Sequence, residues 1–294
     1  MTLYRKKFAA RLFAGMTAAA ASILAAPAFA AADLTPVAPE AGADAGLFYE
    51  IEAKYEFSLL GFGVGEMYFH ITMAGDTYET RATVDPQGIA SWFDANAIRA
   101  QATGRFDTST IEPSQSWIEQ RNSDASRSVT IAFEEMGLPL VTSDPPYKVS
   151  KYAPTPDQIT GAVDPVSGLL LMLTMPAASG DPCNMTIPVY DGRRRYNFMV
   201  EPKGLVNVDE ENVYTGEAVY CMARYQRVAG WKPEKMSEGS RTRIHAWLVP
   251  VGEKADGTPE LYVPVKLWGD AGIDDAVGHA LWIKVNGQPL AALR

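Results

Sequence analysis

The chain has 294 residues, of which 47% are apolar, and its 35 acidic against 26 basic side chains give a formal net charge of −9. A chain this acidic lacks the basic face that nucleic acid demands and is a poor general adsorber to anionic lipid. The apolar content is ample for a core, and the length suits one large β domain or two smaller ones.

The first segment reads as a leader. Arg5, Lys6, Lys7 and Arg11 precede an alanine-rich apolar run, and Ala28-Phe29-Ala30 has the small-x-small form of a cleavage site. The run is too short to span a bilayer. The expectation is a signal peptide over residues 1–30, cleaved near Ala30/Ala31, and a soluble periplasmic product with no transmembrane segment. Losing those four cations takes the net charge from −9 to −13. Residues 31–46, rich in Ala, Pro, Asp and Gly, read as a flexible arm, and 47–294 as one domain.

Within that domain strict alternation comes first. Ile51, Ala53, Tyr55 and Phe57 share one face and Glu50, Glu52, Lys54 and Glu56 the other; 67–73 and 78–84 repeat the pattern. Between the first two lies LLGFGVGEM, with Gly61, Gly63 and Gly65 at alternate positions. Neither a dinucleotide fingerprint nor a phosphate loop has this spacing, so the glycines mark a bent or bulged strand. Over 85–102, Ile89, Trp92, Phe93, Ala97 and Ile98 recur at helical spacing, which predicts a first short helix. Strands follow at 116–120 and 127–133, then a loop over 138–156 containing five prolines.

Asp164 and Pro165 fit the cap and first position of a second helix, and SGLLLMLTM continues it without a charge. A short helix apolar on all sides belongs inside the protein, cupped by the sheet. Ile187 to Tyr190, Asp191-Gly192 and Arg193 to Val200 then form a hairpin. Alternation returns at 219–225, 244–248, 262–267 and 281–285, with turns at Asp256-Gly257 and Asn286-Gly287. The fold class is all-β with two short helices: a strongly curved antiparallel sheet, half-barrel or β-spiral, wrapped around an apolar helix.

Cys183 and Cys221 are the two cysteines. In an oxidising compartment they read as a structural disulfide; a dithiol catalyst needs C-x-x-C spacing, and a metal site needs more ligands. No nucleophile elbow occurs, and His70 and His245 fall on polar faces while His279 sits in a predicted loop. The acidic pairs and triplets lack calcium-loop spacing and read as solvated turns. The reading is therefore of no catalytic residues, no metal and no cofactor. The six tryptophans are spread along the chain and read as filling for a large curved core.

Several stretches together resemble the DUF3108 family of exported bacterial proteins of unknown function: YEFSLLGFGVGE, ATVDPQGIASWF, RFDTSTIEP, DPVSGLL, PVYDGRRRY and YVPVKL, over residues 48–285. The resemblance implies a curved sheet around a helix, similar to periplasmic lipoprotein carriers and β-spiral envelope proteins, and it implies no catalytic residues. Two functions follow as expectations. In one, a non-enzymatic envelope protein binds a lipid or other apolar ligand in the concave face, lined by Leu169, Leu170, Met172, Leu173 and Met175, with Arg194 holding an anionic head group. In the other, the helix fills the sheet and a scaffold acts through an envelope protein partner. A weaker third is an envelope hydrolase.

Overall fold

The computed structural model describes residues 48–88, 90, 95–106, 111–134, 137–173, 175–176, 182–210, 213–236, 243–252, 261–270 and 275–290. The expected leader and arm, the core of the first predicted helix (Ile89, Trp92 and Phe93) and the Asp256-Gly257 turn lie outside the described residues.

The N-terminal half is a meander: β1 (Phe48–Leu59), β2 (Phe62–Ala74), β3 (Thr77–Pro86), β4 (Ala97–Phe106), β5 (Ile111–Arg121), β6 (Ser126–Ala132) and β7 (Leu140–Asp144). Two helices follow, α1 (Pro156–Ile159) and α2 (Pro165–Leu173), then the short β8 (Met175–Pro176). A second meander runs through β9 (Met185–Tyr190), β10 (Arg195–Glu210), β11 (Tyr214–Ala229), β12 (Arg243–Val251), β13 (Leu261–Asp270) and β14 (Asp275–Val285), with β15 (Gln288–Pro289) turning back on β14. Antiparallel pairing of β1 with β14 zips the two meanders into one sheet ordered β7-β6-β5-β4-β3-β2-β1-β14-β13-β12-β11-β10-β9. The sheet is open at β7 and β9 but strongly curled.

The curl brings its two ends together. A Cβ placed on Gly192, in the β9–β10 turn, would lie 2.8 Å from Val141 of β7 and 3.3 Å from Val129 of β6. The chain between β7 and α2 runs across this seam. Val163 bonds to the free edge of β9, giving its N–H to the Pro188 carbonyl and accepting from the Tyr190 N–H, both at 2.8 Å. That covers an edge otherwise open to pairing.

The alternation read from sequence is the alternation of the core. Ile51, Ala53, Tyr55, Met67, Phe69, Ile71, Met73, Tyr78 and Ala82 are all buried in one cluster, which Val166, Leu170 and Leu173 of α2 complete. A second cluster gathers Ile187, Val189, Cys221, Ala223, Ala246 and Leu248, and Leu171 and Met172 of α2 pack against it. The helix stands between the two. In the glycine-rich stretch Gly63 and Gly65 lie in a bulged strand, as expected, with the register shift opposite Phe57 and Ser58, while Leu60 and Gly61, at φ 53° and 77°, form a hairpin turn between β1 and β2 that was not expected.

Four expectations are corrected. The helix expected over 85–102 is strand at both of its described ends: Asp85 and Pro86 finish β3, and Ala97 and Ile98 begin β4, where Ala100 and Ala102 pair with Ala82 and Thr80 of β3. Small residues there let α2 dock closely, and their spacing carries no helical meaning. The loop over 138–156 contains the edge strand β7, legible only through its pairing with β6, because no residue of it is buried. His279 lies within β14, not in a loop. None of the five described tryptophans is buried: Trp231, Trp247, Trp268 and Trp282 are half-buried, and Trp117 is 37% exposed. Their bulk suits the margins of a core whose centre is aliphatic and tyrosine-rich. Among the described residues no helix is long and apolar enough to cross a membrane.

Cys183 and Cys221 form the expected disulfide, with Cα atoms 5.5 Å apart, buried in the second cluster. It ties the segment before β9 to β11, spanning β10. Closing a loop of this length stabilises by about 4 kcal/mol through lost unfolded-state entropy. Thiol labelling of unreduced protein is expected to find no free thiol, and Cys183→Ala/Cys221→Ala to lose about that stability in denaturant unfolding.

Candidate functional site

The most constrained part of the molecule is the N-terminus of α2. Its first N–H groups have no intrahelical partner and lie in a dry interior, where each must find an acceptor. Asp164 supplies it, as its position before Pro165 predicts: Oδ1 accepts from the N–H of Val166 at 2.8 Å and of Ser167 at 3.0 Å. The Ser167 hydroxyl donates to Asp164 Oδ2 at 2.5 Å, so the Tyr78 hydroxyl, 2.6 Å from Ser167 Oγ, is the donor to that oxygen. Tyr78, Ser167 and Asp164 thus form a buried relay from β3 to the helix.

Geometry on β4 makes the relay possible. Tyr78 pairs with Gly104, and a Cβ at Gly104 would run into the Glu112 carbonyl oxygen of β5 and lie 2.7 Å from the Tyr78 ring. Glycine lets the ring lie across β4 and reach the helix. Burial pushes the Asp164 carboxyl above its ordinary value, against the pull of its hydrogen bonds from Ser167 and Val166. It also pushes the Tyr78 hydroxyl well up, its bond to Ser167 opposing and the nearby Asp164 charge adding. A Ser, an Asp and a Tyr in line invite comparison with a nucleophile and its base. Here the aspartate already receives three hydrogen bonds and the serine hydroxyl is oriented into the interior, so the arrangement caps a helix.

The proposed lining residues divide by position. Leu170 and Leu173 are 1% and 3% exposed within the first cluster. Leu169 is half-buried against the same cluster and Met172 against the second. Met175 belongs to β8, which pairs with β13, and its side chain lies outside the described residues. Arg194 is not with them: it sits at the seam, its guanidinium carbon 5.2 Å from the Trp231 ring centre. The helix residues and Arg194 are therefore in two places.

At the seam the fully buried arginine is Arg195, 8% exposed, which sequence parity did not single out. It gives Nε–H to the Gln158 carbonyl of α1 at 2.8 Å and another N–H to Asn197 Oδ1 at 2.7 Å, fastening α1 to β10. Asp191 caps the β9–β10 turn, its Oδ1 accepting from the N–H groups of Arg193 and Arg194 at 2.9 and 2.6 Å. Arg127 and Arg193 lie over the Tyr147 ring, and Arg227 joins Arg194 at Trp231. No spacing rule finds this group, because its members come from β6, the β9–β10 turn, β11 and two loops. Two histidines meet carboxylates, His70 with Glu50 at 3.0 Å and His279 with Glu56 at 3.8 Å, while His245 meets the Tyr220 hydroxyl at 2.7 Å and stacks on the Trp268 ring.

The family model described as a protein of unknown function, DUF3108, matches residues 49–279. No curated protein matches. Among solved structures, the beta-barrel-like protein of the domain of unknown function DUF1849 from Brucella abortus aligns at 11% identity over 80% of this chain and 97% of its own, with a TM-score of 0.43.

Two stability experiments test the relay. Gly104→Ala is expected to displace both Tyr78 and the Glu112 carbonyl of β5 and cost about 2–3 kcal/mol in urea unfolding, against about 1 kcal/mol for Tyr78→Phe, which keeps the ring and loses one hydrogen bond. For Asp164 the folded pKa is raised, so the native state holds its proton longer than the unfolded chain. That contribution to stability is present at acid pH and is lost as pH rises from the ordinary 3.8 through the folded value. Asp164→Asn, which keeps a capping oxygen, is expected to flatten that fall and match or exceed wild type at pH 7, while Asp164→Ala loses about 1–2 kcal/mol there.

Proposed function

The chain belongs to the DUF3108 family, and on that footing we propose that it is a non-enzymatic protein of the bacterial cell envelope that works as a rigid scaffold, meeting its partners on the outside of the curled sheet. The observation that carries this reading is the packing of α2. Leu170 and Leu173, two of the residues expected to line a ligand site, are sealed against β-sheet side chains in the first cluster. A helix packed on both sides by separate clusters is a filler, and it fixes the curvature of the sheet around it.

The envelope location rests on the leader-like residues 1–30 and fits the Cys183–Cys221 bridge, since disulfides persist in oxidising compartments. Strand β7 ends the sheet and exposes Leu140, Thr142 and Asp144 on alternate positions, which suits addition of a strand from a protein partner. A lipid or other apolar ligand in the concave face is the second reading, favoured by the partial exposure of Leu169, Leu171 and Met172. Any such ligand would touch the helix through those three side chains.

Native mass spectrometry of the mature protein, released from the periplasm without detergent and then solvent-extracted, separates the two. The expected result is the mass of the oxidised polypeptide beginning near Ala31, with no lipid in the extract. A stoichiometric acyl lipid would transfer the function to the concave face, and a protein found only in the cytoplasmic fraction would remove the envelope role.

A further inference from the structure

The long hairpin of β10 and β11 is fastened to the sheet along only half its length. Near its base β10 pairs with β9 from Arg195 to Val200, and β11 pairs with β12 from Val219 to Arg224. Beyond those residues the two strands pair only with each other, Gly204 to Glu210 against Tyr214 to Tyr220. Among the described residues, segments 204–210 and 213–218 have no ladder to any other strand.

The change falls at a bend. The register shifts between Pro202 and Gly204, and Gly204 has φ 107°, which glycine takes without strain. Pro202 lies opposite Cys221, whose bridge to Cys183 fastens the hairpin at the same level. The base is thus held by two ladders and a disulfide, and the bend follows at once.

Two things hold the outer half down. Its inward side chains Val208, Val213, Tyr214 and Ala218 are buried in the first cluster, with Val249 and Val251 of β12 and Val263 of β13. Their neighbours Leu205, Asn207, Asp209, Thr215 and Glu217 are exposed. The second is an ion pair to β13. Lys266 Nζ donates to both carboxylate oxygens of Glu210, at 2.7 and 2.6 Å, and lies 4.7 Å from the centre of the Trp247 ring. Parting two strands within the sheet breaks a ladder of hydrogen bonds, whereas lifting this half-hairpin breaks none. It costs some apolar burial and one ion pair, which puts the segment at the low-stability end of the molecule, where local opening occurs.

We propose that the outer half of the β10–β11 hairpin is a hinged flap, bending at residues 202–204 and latched to β13 by Glu210 and Lys266. Open, it bares the edge of the first cluster without parting any strands of the sheet. That makes it the entry for an apolar ligand under the second reading of function. The flap itself does not depend on that reading and is tested without a ligand.

Both native cysteines are paired, so an engineered cysteine is a lone thiol whose labelling rate reports opening. Val208→Cys in the flap and Val200→Cys at the base start from matched burial, 4% and 3% exposed. In the oxidised protein, Val208→Cys is expected to react with a thiol reagent about tenfold or more faster than Val200→Cys. Adding Glu210→Gln is expected to speed Val208→Cys by about three- to tenfold and leave Val200→Cys unchanged. Lys266→Met, which keeps an apolar stem against Trp247 and loses the charge, should act alike. Asp209→Asn, on the wet side of the same strand, should change nothing. Circular dichroism checks each variant, and Val213→Cys takes the place of Val208→Cys if that misfolds. Equal labelling of flap and base, or flap labelling that the latch variants leave intact, overturns the proposal. Latch variants that speed flap and base alike also overturn it, since the ion pair would then support the whole fold.

Discussion

A sheet curled this far encloses a concave face rich in Ile, Phe, Met and Tyr, and burial of that face depends on α2. The helix is short and apolar all round, so packing alone makes it a helix; by itself in water a segment of nine residues would not hold its shape. Packing it in a dry interior creates a second requirement, since the N–H groups of its first turn still need acceptors. Asp164 meets it with one carboxyl oxygen, Ser167 engages the other, and Tyr78 closes the set from the sheet. Gly104 has no room for a side chain, because that tyrosine lies over it and the Glu112 carbonyl of β5 approaches it as well. The burial of an ionisable aspartate and the curvature of the sheet around the helix therefore share one cause.

The rest of the architecture follows from wrapping a strip of strands around this filler. Pairing of β1 with β14 joins the two meanders and sets the strip's length, and the seam is where its ends fall short of pairing with each other. The connection through α1, the one-residue bridge at Val163 and the buried Arg195 occupy that gap. Seams of this kind collect chemistry that regular pairing excludes. Here they collect arginines, from strands far apart in sequence, held on Tyr147 and Trp231.

Much of this was legible beforehand. Period-two alternation placed the faces of β1, β2, β3, β11 and β12; the Asp191-Gly192 and Asn286-Gly287 dipeptides placed turns; Asp164-Pro165 placed the helix start. The failures are as instructive. On the inner face of β4, Ala100 and Ala102 have side chains too small to declare a strand, and α2 docks over that part of the sheet. Strand β7 has no buried residue, so hydrophobic pattern was silent and only pairing with β6 made it a strand. Arg195, the buried member of the run of three arginines, was not singled out, because what covers it is α1, which spacing does not place beside β10.

By itself, then, the sequence determined the secondary structure wherever a strand has one wet and one dry face, the site and cap of the apolar helix, and the pairing of its two cysteines. These are local or compositional properties, written in spacing of two and in the few residue types a turn or cap accepts. Tertiary structure alone decided which edge strands meet, that tryptophan lies at the margins of the core, and that Arg127, Arg193, Arg194 and Arg227 share one place. Such neighbours are set by how far the sheet curls before its ends touch, and curvature is a sum over many strand pairs that no single stretch of residues records.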